Sequence, residues 1–201
     1  MPNITSISKT MRTKRTNIPQ DVLAKLGFDA VEYKFISNEH SFDKLVEIND
    51  LLTCEQKYAV MEQQGCHKGG RMDKESKAFA EEHADKSFAE RLKVLSIEDE
   101  GLHINDDGTI SLQTCEVDNN DVARGCQCLK RDNEMKFNSF IEEYPDKASS
   151  FSQFHCGCCA GHQKHHLQNK LGVKLKLKSI GTSVSKTGNG QKRIFIYEVT
   201  Q

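Results

Sequence analysis

The 201-residue sequence contains no tryptophan, only three prolines and almost no net charge, with 28 Lys and Arg set against 29 Asp and Glu. A net charge of −1 produces no global field that would draw the chain to nucleic acid or to an anionic membrane, so any partner has to be recognised locally. Long apolar runs are missing as well. None is long enough to span a bilayer, and none follows the basic residues Lys9, Arg12, Lys14 and Arg15 as the core of a signal peptide would. The expectation is a cytoplasmic protein whose residues 1–18 form a loose, flexible arm. No internal repeat or low-complexity tract interrupts the rest, and the length suits a single domain, residues 19–201, able to bury its own core.

The N-terminal part of that domain, residues 19–97, reads as helical. Pro19 opens a short helix that Gly27 closes. From Phe42 to about Gln64 apolar residues recur mostly at spacings of three and four, with a break near Thr53 and a stop at Gly65. A third stripe, Phe79, Ala80, His83, Phe88, Leu92 and Leu95, predicts one helix from a cap at Asp73 to Leu95. Residues 98–201 read differently. Asn105 to Gly108 is a turn leading into an alternating strand from Thr109 to Val117, and Asn133 to Tyr144 is a short helix ended by Pro145. A helix from Ala160 to Leu171 is closed by Gly172, after which Val173, Leu175 and Leu177 alternate with lysines. A final strand, Arg193 to Val199, completes a C-terminal hairpin. The fold class expected is α+β, with N-terminal helices packed on a C-terminal antiparallel sheet.

Eight cysteines with no export signal point to reduced thiols rather than a disulfide framework. Cys54, Cys66 and Cys115 stand alone, whereas five are grouped as Cys126-Gln-Cys128 and Cys156-Gly-Cys158-Cys159. Two Cys-x-Cys pairs supply the four thiolates that a tetrahedral zinc takes, so Cys126, Cys128, Cys156 and Cys158 are the expected metal ligands and zinc the expected ion. In a straight strand such a pair is splayed too far to chelate; a tight turn is needed, and Gly125 and Gly157 stand where it would form. Cys159 is expected to hydrogen-bond the ligands from behind, to replace one of them or to be an activated free thiol, and His155 is the substitute if Cys156 does not bind. Buried inert thiols and redox exchange are the competing readings of the same cluster.

Two weaker signals accompany the cysteines. His162, His165 and His166 fall at i, i+3 and i+4, a spacing that can offer two imidazoles to one site, although it also suits an ordinary solvent face. Cys66 lies beside His67 in the loop Gly65-Cys66-His67-Lys68-Gly69-Gly70, where a thiol and a base could form a nucleophile, although neighbouring side chains seldom face each other. Lys130, Arg131, Lys164, Lys174, Lys176 and Lys178 could build a basic surface. Interspersed acids and the missing tryptophan argue against a nucleic-acid module.

The stretch Cys156-Gly-Cys-Cys-Ala-Gly161, with Lys164, Leu171-Gly172-Val173-Lys-Leu-Lys-Leu and Ser179-Ile180, resembles the C-terminal half of uncharacterised bacterial proteins. Those are similar to the small-molecule-binding domains of the 4-vinyl reductase type and to the family named for L-2-amino-thiazoline-4-carboxylate hydrolase. The resemblance covers about Cys115 to Gln201. It implies helices on an antiparallel sheet, a pocket for a small hydrophobic or heterocyclic ligand, and metal-binding cysteines in some members. The chain departs from the pattern at Gly190-Gln-Lys-Arg193, where such proteins often place a cysteine. The function expected is a zinc-stabilised small-molecule-binding or sensor-like domain, with a homodimer as a further expectation. The alternative is a thiol- or metal-dependent hydrolase acting on a small heterocyclic or amide substrate through Cys66 or through a zinc with three protein ligands.

Overall fold

The computed structural model describes residues 4–29, 38–65, 70–99, 101–123, 127–185 and 190–200, with the side chains of 38–40 and 127–134 outside that description. Eight α-helices and a four-stranded antiparallel sheet occupy these residues, giving the expected α+β architecture. In order these are α1 (Ile4–Met11), α2 (Gln20–Lys25), α3 (Asn38–Leu51), α4 (Cys54–Met61), α5 (Arg71–Glu82), α6 (Phe88–Glu98), β1 (Leu102–Ile104), β2 (Ile110–Val117), α7 (Gln127–Glu143), α8 (Pro145–Leu171), β3 (Lys174–Val184) and β4 (Gln191–Thr200). No helix among the described residues is long and apolar enough to cross a membrane.

The sheet order is β1-β2-β4-β3. Leu112 and Ile180 pair with Phe195 from either side, and Ile110 and Leu177 likewise flank Tyr197, so five apolar side chains and one tyrosine line a single buried face. That face packs on α8. The Tyr197 hydroxyl donates to the Ala160 carbonyl of α8 at 2.8 Å, and burial pushes the phenol well above its ordinary pKa.

Helix α8, 27 residues long, divides the interior in two. Phe151, Phe154 and Cys158 join a helical core with Ile7, Phe28, Leu45, Ile48, Val60, Met61 and Phe140. Cys156, Ala160, Leu167 and Leu171 join the sheet core with Leu92, Leu95, Phe195 and Tyr197. A helix buried on opposite sides needs small residues where another backbone crosses it. Gly161 is one such place, because a Cβ there would lie 1.9 Å from the Glu62 carbonyl oxygen, and a Cβ on Gly157 would lie 2.6 Å from Met61 Cβ.

Three expectations are corrected by this packing. The N-terminal arm is not loose from Ile4 onward: α1 buries Ile4, Ile7 and Met11 against the helical core. The single helix expected over Asp73 to Leu95 is two, because Ser87 starts α6 with a capping box to Glu90 after the turn at His83. The tight turn expected around Gly157 is an unbroken stretch of α8, where glycine serves close packing rather than bending. Pro145 ends α7 as expected and also occupies the first position of α8, where its missing N–H costs nothing.

A buried polar network fixes the loop that precedes α7. Arg193, fully buried, donates to Asp121 Oδ1 at 2.7 Å, to the Asp121 carbonyl at 2.8 Å and to Ser152 Oγ at 3.1 Å. Asp121 also accepts from Ser149 and Gln153 of α8, each at 2.7 Å, and from Thr182 of β3. Burial alone would raise the Asp121 pKa, but these hydrogen bonds and the guanidinium outweigh it and hold the carboxyl below its usual range.

Candidate metal centre

Helices α5 and α8 lie against each other and bring together residues about ninety positions apart. Asp73 and Ser76 sit three apart on α5 and so share a face; His162, His165, His166 and Asn169 recur every three or four residues on α8 and form the facing stripe. His165 Nε2 is 2.9 Å from Asp73 Oδ1, and His166 Nδ1 is 3.3 Å from Ser76 Oγ. Asn169 Nδ2 donates to Ser76 Oγ at 3.2 Å and lies the same distance from His165 Nε2. Lys77 pairs with the other carboxylate oxygen of Asp73 at 2.8 Å. Asp73 and His166 are buried, and His165 is partly so.

One ligand atom from each of Asp73, His165 and His166 falls within 4.8 Å of the other two, so the three form a group able to hold a metal ion. Ligands on a tetrahedral zinc bonded at about 2.0–2.1 Å stand about 3.3 Å apart, so the 2.9 Å separation of His165 and Asp73 needs only a small opening to admit an ion. The chemistry at His165 Nε2 is also divided. It faces an acceptor, Asp73 Oδ1, and a donor, Asn169 Nδ2; a single nitrogen serves the first as N–H and the second only as a lone pair. An ion bound at Nε2 would take that one lone pair, and the Asn169 amide would keep only its bond to Ser76 Oγ. His162 extends the stripe, with its ring centroid 4.5 Å from that of His166 and its Nε2 3.3 Å from Met72 Sδ.

Two of the four cysteines expected as ligands, Cys156 and Cys158, lie among the described residues. Cys156 and Cys158 lie on one helix two positions apart, about 200° around its axis, and enter different cores. Cys158 Sγ donates to the Gln64 carbonyl at 3.3 Å. Cys159 is exposed, and His155 is buried with its ring 6.5 Å from that of Phe151. Cys128 belongs to α7, but its side chain, like the whole of Cys126 and Cys66, lies outside the described residues. Sequence reasoning found the imidazole spacing but missed Asp73, which it read as a helix cap. In the structure Asp73 is in the first turn of α5 and its carboxylate turns toward α8.

No protein-family model matches the chain, and comparison with curated proteins and with solved structures likewise finds no match. The resemblance to the 4-vinyl reductase and thiazoline-carboxylate hydrolase families thus rests on the quoted residues alone.

Proposed function

We propose that this protein is a zinc-stabilised, small-molecule-binding domain in which Asp73, His165 and His166 hold the ion and thereby clamp α5 to α8. The observation that carries the reading is the convergence of a carboxylate and two imidazoles from two helices within 4.8 Å. One carboxylate oxygen and two ring nitrogens are borderline ligands suited to zinc. Lys77 engages one oxygen of Asp73 and leaves the other directed at His165, a supporting contact of the kind that orients metal-binding carboxylates.

Three protein ligands would leave a fourth position for water. The larger of two described clefts, about 770 Å³ against 640 Å³, is lined by Arg15, Cys54, Tyr58, Glu62, Lys176 and Glu198 among others. That larger cleft falls in the size range of small-ligand sites and is where the small molecule of this reading would bind. Thermal unfolding with and without Zn²⁺ tests the clamp. A saturating ion raises the melting temperature of the wild type and leaves Asp73→Asn and His165→Ala unchanged; an equal rise in all three places the ion elsewhere.

A further inference from the structure

Away from the metal centre, α3 and the C-terminal half of α7 border an open groove of about 640 Å³. Its floor is aromatic. Phe42 and Phe140 meet edge to face with centroids 5.8 Å apart, and the Tyr144 ring continues the surface 5.5 Å from Phe140. Met135 stands at the edge with 85% of its surface exposed, and Tyr144 is exposed too. Large apolar side chains left in water around a concave surface mark a place where something binds.

The charges around this floor say what kind of molecule fits. Asp43, Glu47 and Glu143 line the groove together with Lys136 and Lys147. Lys147 is paired with Asp50 at 2.6 Å and Glu47 with Lys44, so Asp43 and Glu143 are the lining carboxylates outside these two ion pairs. Glu143 is the last residue of α7 and α8 begins two residues later at Pro145, so the opposed dipoles of the two helix ends offset each other and the negative character of the groove comes from its carboxylates. The neighbouring Glu143 carboxylate holds the Tyr144 phenol above its ordinary pKa. An ammonium already lies over this aromatic surface: Lys147 Nζ is 5.9 Å from the Tyr144 ring centroid.

We infer that the α3–α7 groove is a binding site for a small organic cation, an ammonium group carried on an aromatic or alkyl body. The body lies on Phe42 and Phe140 beside Met135, and the ammonium is directed to Glu143 and Asp43. This site is independent of the metal reading, since none of its residues belongs to the Asp73 cluster.

A matched pair of probes tests it on the full chain: phenethylammonium and 3-phenylpropionate, alike in shape and opposite in charge. Methyl-labelled methionine provides a local readout, with Met135 in the groove and Met11 buried in the helical core as a control. Phenethylammonium is expected to move the Met135 methyl resonance in a saturable way and to leave Met11 in place, while the carboxylate binds more weakly. The exposed pair Asp43→Asn and Glu143→Gln, made together, should weaken the cation about three- to fivefold without altering the melting temperature. Equal or tighter binding of the anion would overturn the inference, as would a Met135 resonance that neither probe moves. A Met135 shift that follows protein concentration in the absence of probe would overturn it in favour of a second copy of the chain.

Discussion

Two polar clusters fasten α8 to its surroundings, and they are built on opposite principles. The Arg193–Asp121 network is closed around its carboxylate: a fully buried guanidinium meets Asp121, whose remaining positions accept from Ser149, Gln153 and Thr182, while Arg193 Nε makes no hydrogen bond among the described residues. The Asp73–His165–His166 cluster is divided, with one ring nitrogen facing both a carboxylate oxygen and an amide nitrogen. A closed network holds structure and gains nothing from a ligand, whereas a divided one changes state when an ion enters. The first joins the α8 helix to β3, β4 and the loop before α7; the second joins it to α5.

Breaking the closed network should have the largest effect. Asp121→Ala leaves a buried guanidinium without its counter-charge and is expected to cost about 3–5 kcal/mol, read from urea unfolding. The same carboxylate sets an acid limit. Its folded pKa is lowered, so its contribution is fully present above the unfolded aspartate value of about 3.9 and is lost as pH falls through the folded value. Unfolding midpoints of the wild type should therefore drop below about pH 4, and Asp121→Asn should drop less over that range. A parallel decline in both proteins would assign the acid limit to other carboxylates.

Disturbing the divided cluster should matter mainly when metal is present. Zinc at a hundredfold excess over its dissociation constant is expected to stabilise the wild type by about 2.7 kcal/mol and Asp73→Asn not at all. The smallest effect belongs to Lys77→Ala. Its pair with Asp73 spans one helical turn and the lysine is largely exposed, so the metal-free protein should lose about 0.5 kcal/mol or less by chemical unfolding. A larger loss would mean that the cluster carries the fold without an ion, which would erase the contrast with Arg193 and Asp121.

The same contrast separates what was legible in the sequence from what was not. Local signals read correctly: the break near Thr53 is the capping box that starts α4, Gly172 closes α8 in the left-handed region, and the terminal hairpin pairs as the alternation of β3 and β4 implies. Signals with two physical meanings misled. Gly157 looks like a turn residue, but it and Gly161 are close-packing positions whose crossing partners, Met61 and Glu62, lie about a hundred residues earlier. The stripe from Ala80 to Leu95 steps by three or four except between His83 and Phe88, which are five apart, and the split falls in that gap. At the candidate site the imidazole spacing was visible because it is local to α8. Asp73 was not, because its place beside His165 depends on how α5 docks, and no residue near it in the chain announces that contact.

Cobalt substitution examines the metal assignment most directly. Co²⁺ bound by Asp73, His165 and His166 should give the weak visible bands of nitrogen and oxygen ligation, without the intense near-ultraviolet band of thiolate-to-cobalt charge transfer, and Asp73→Asn should abolish them. An intense thiolate band that persists in Asp73→Asn would contradict the assignment and place the ion on the cysteines.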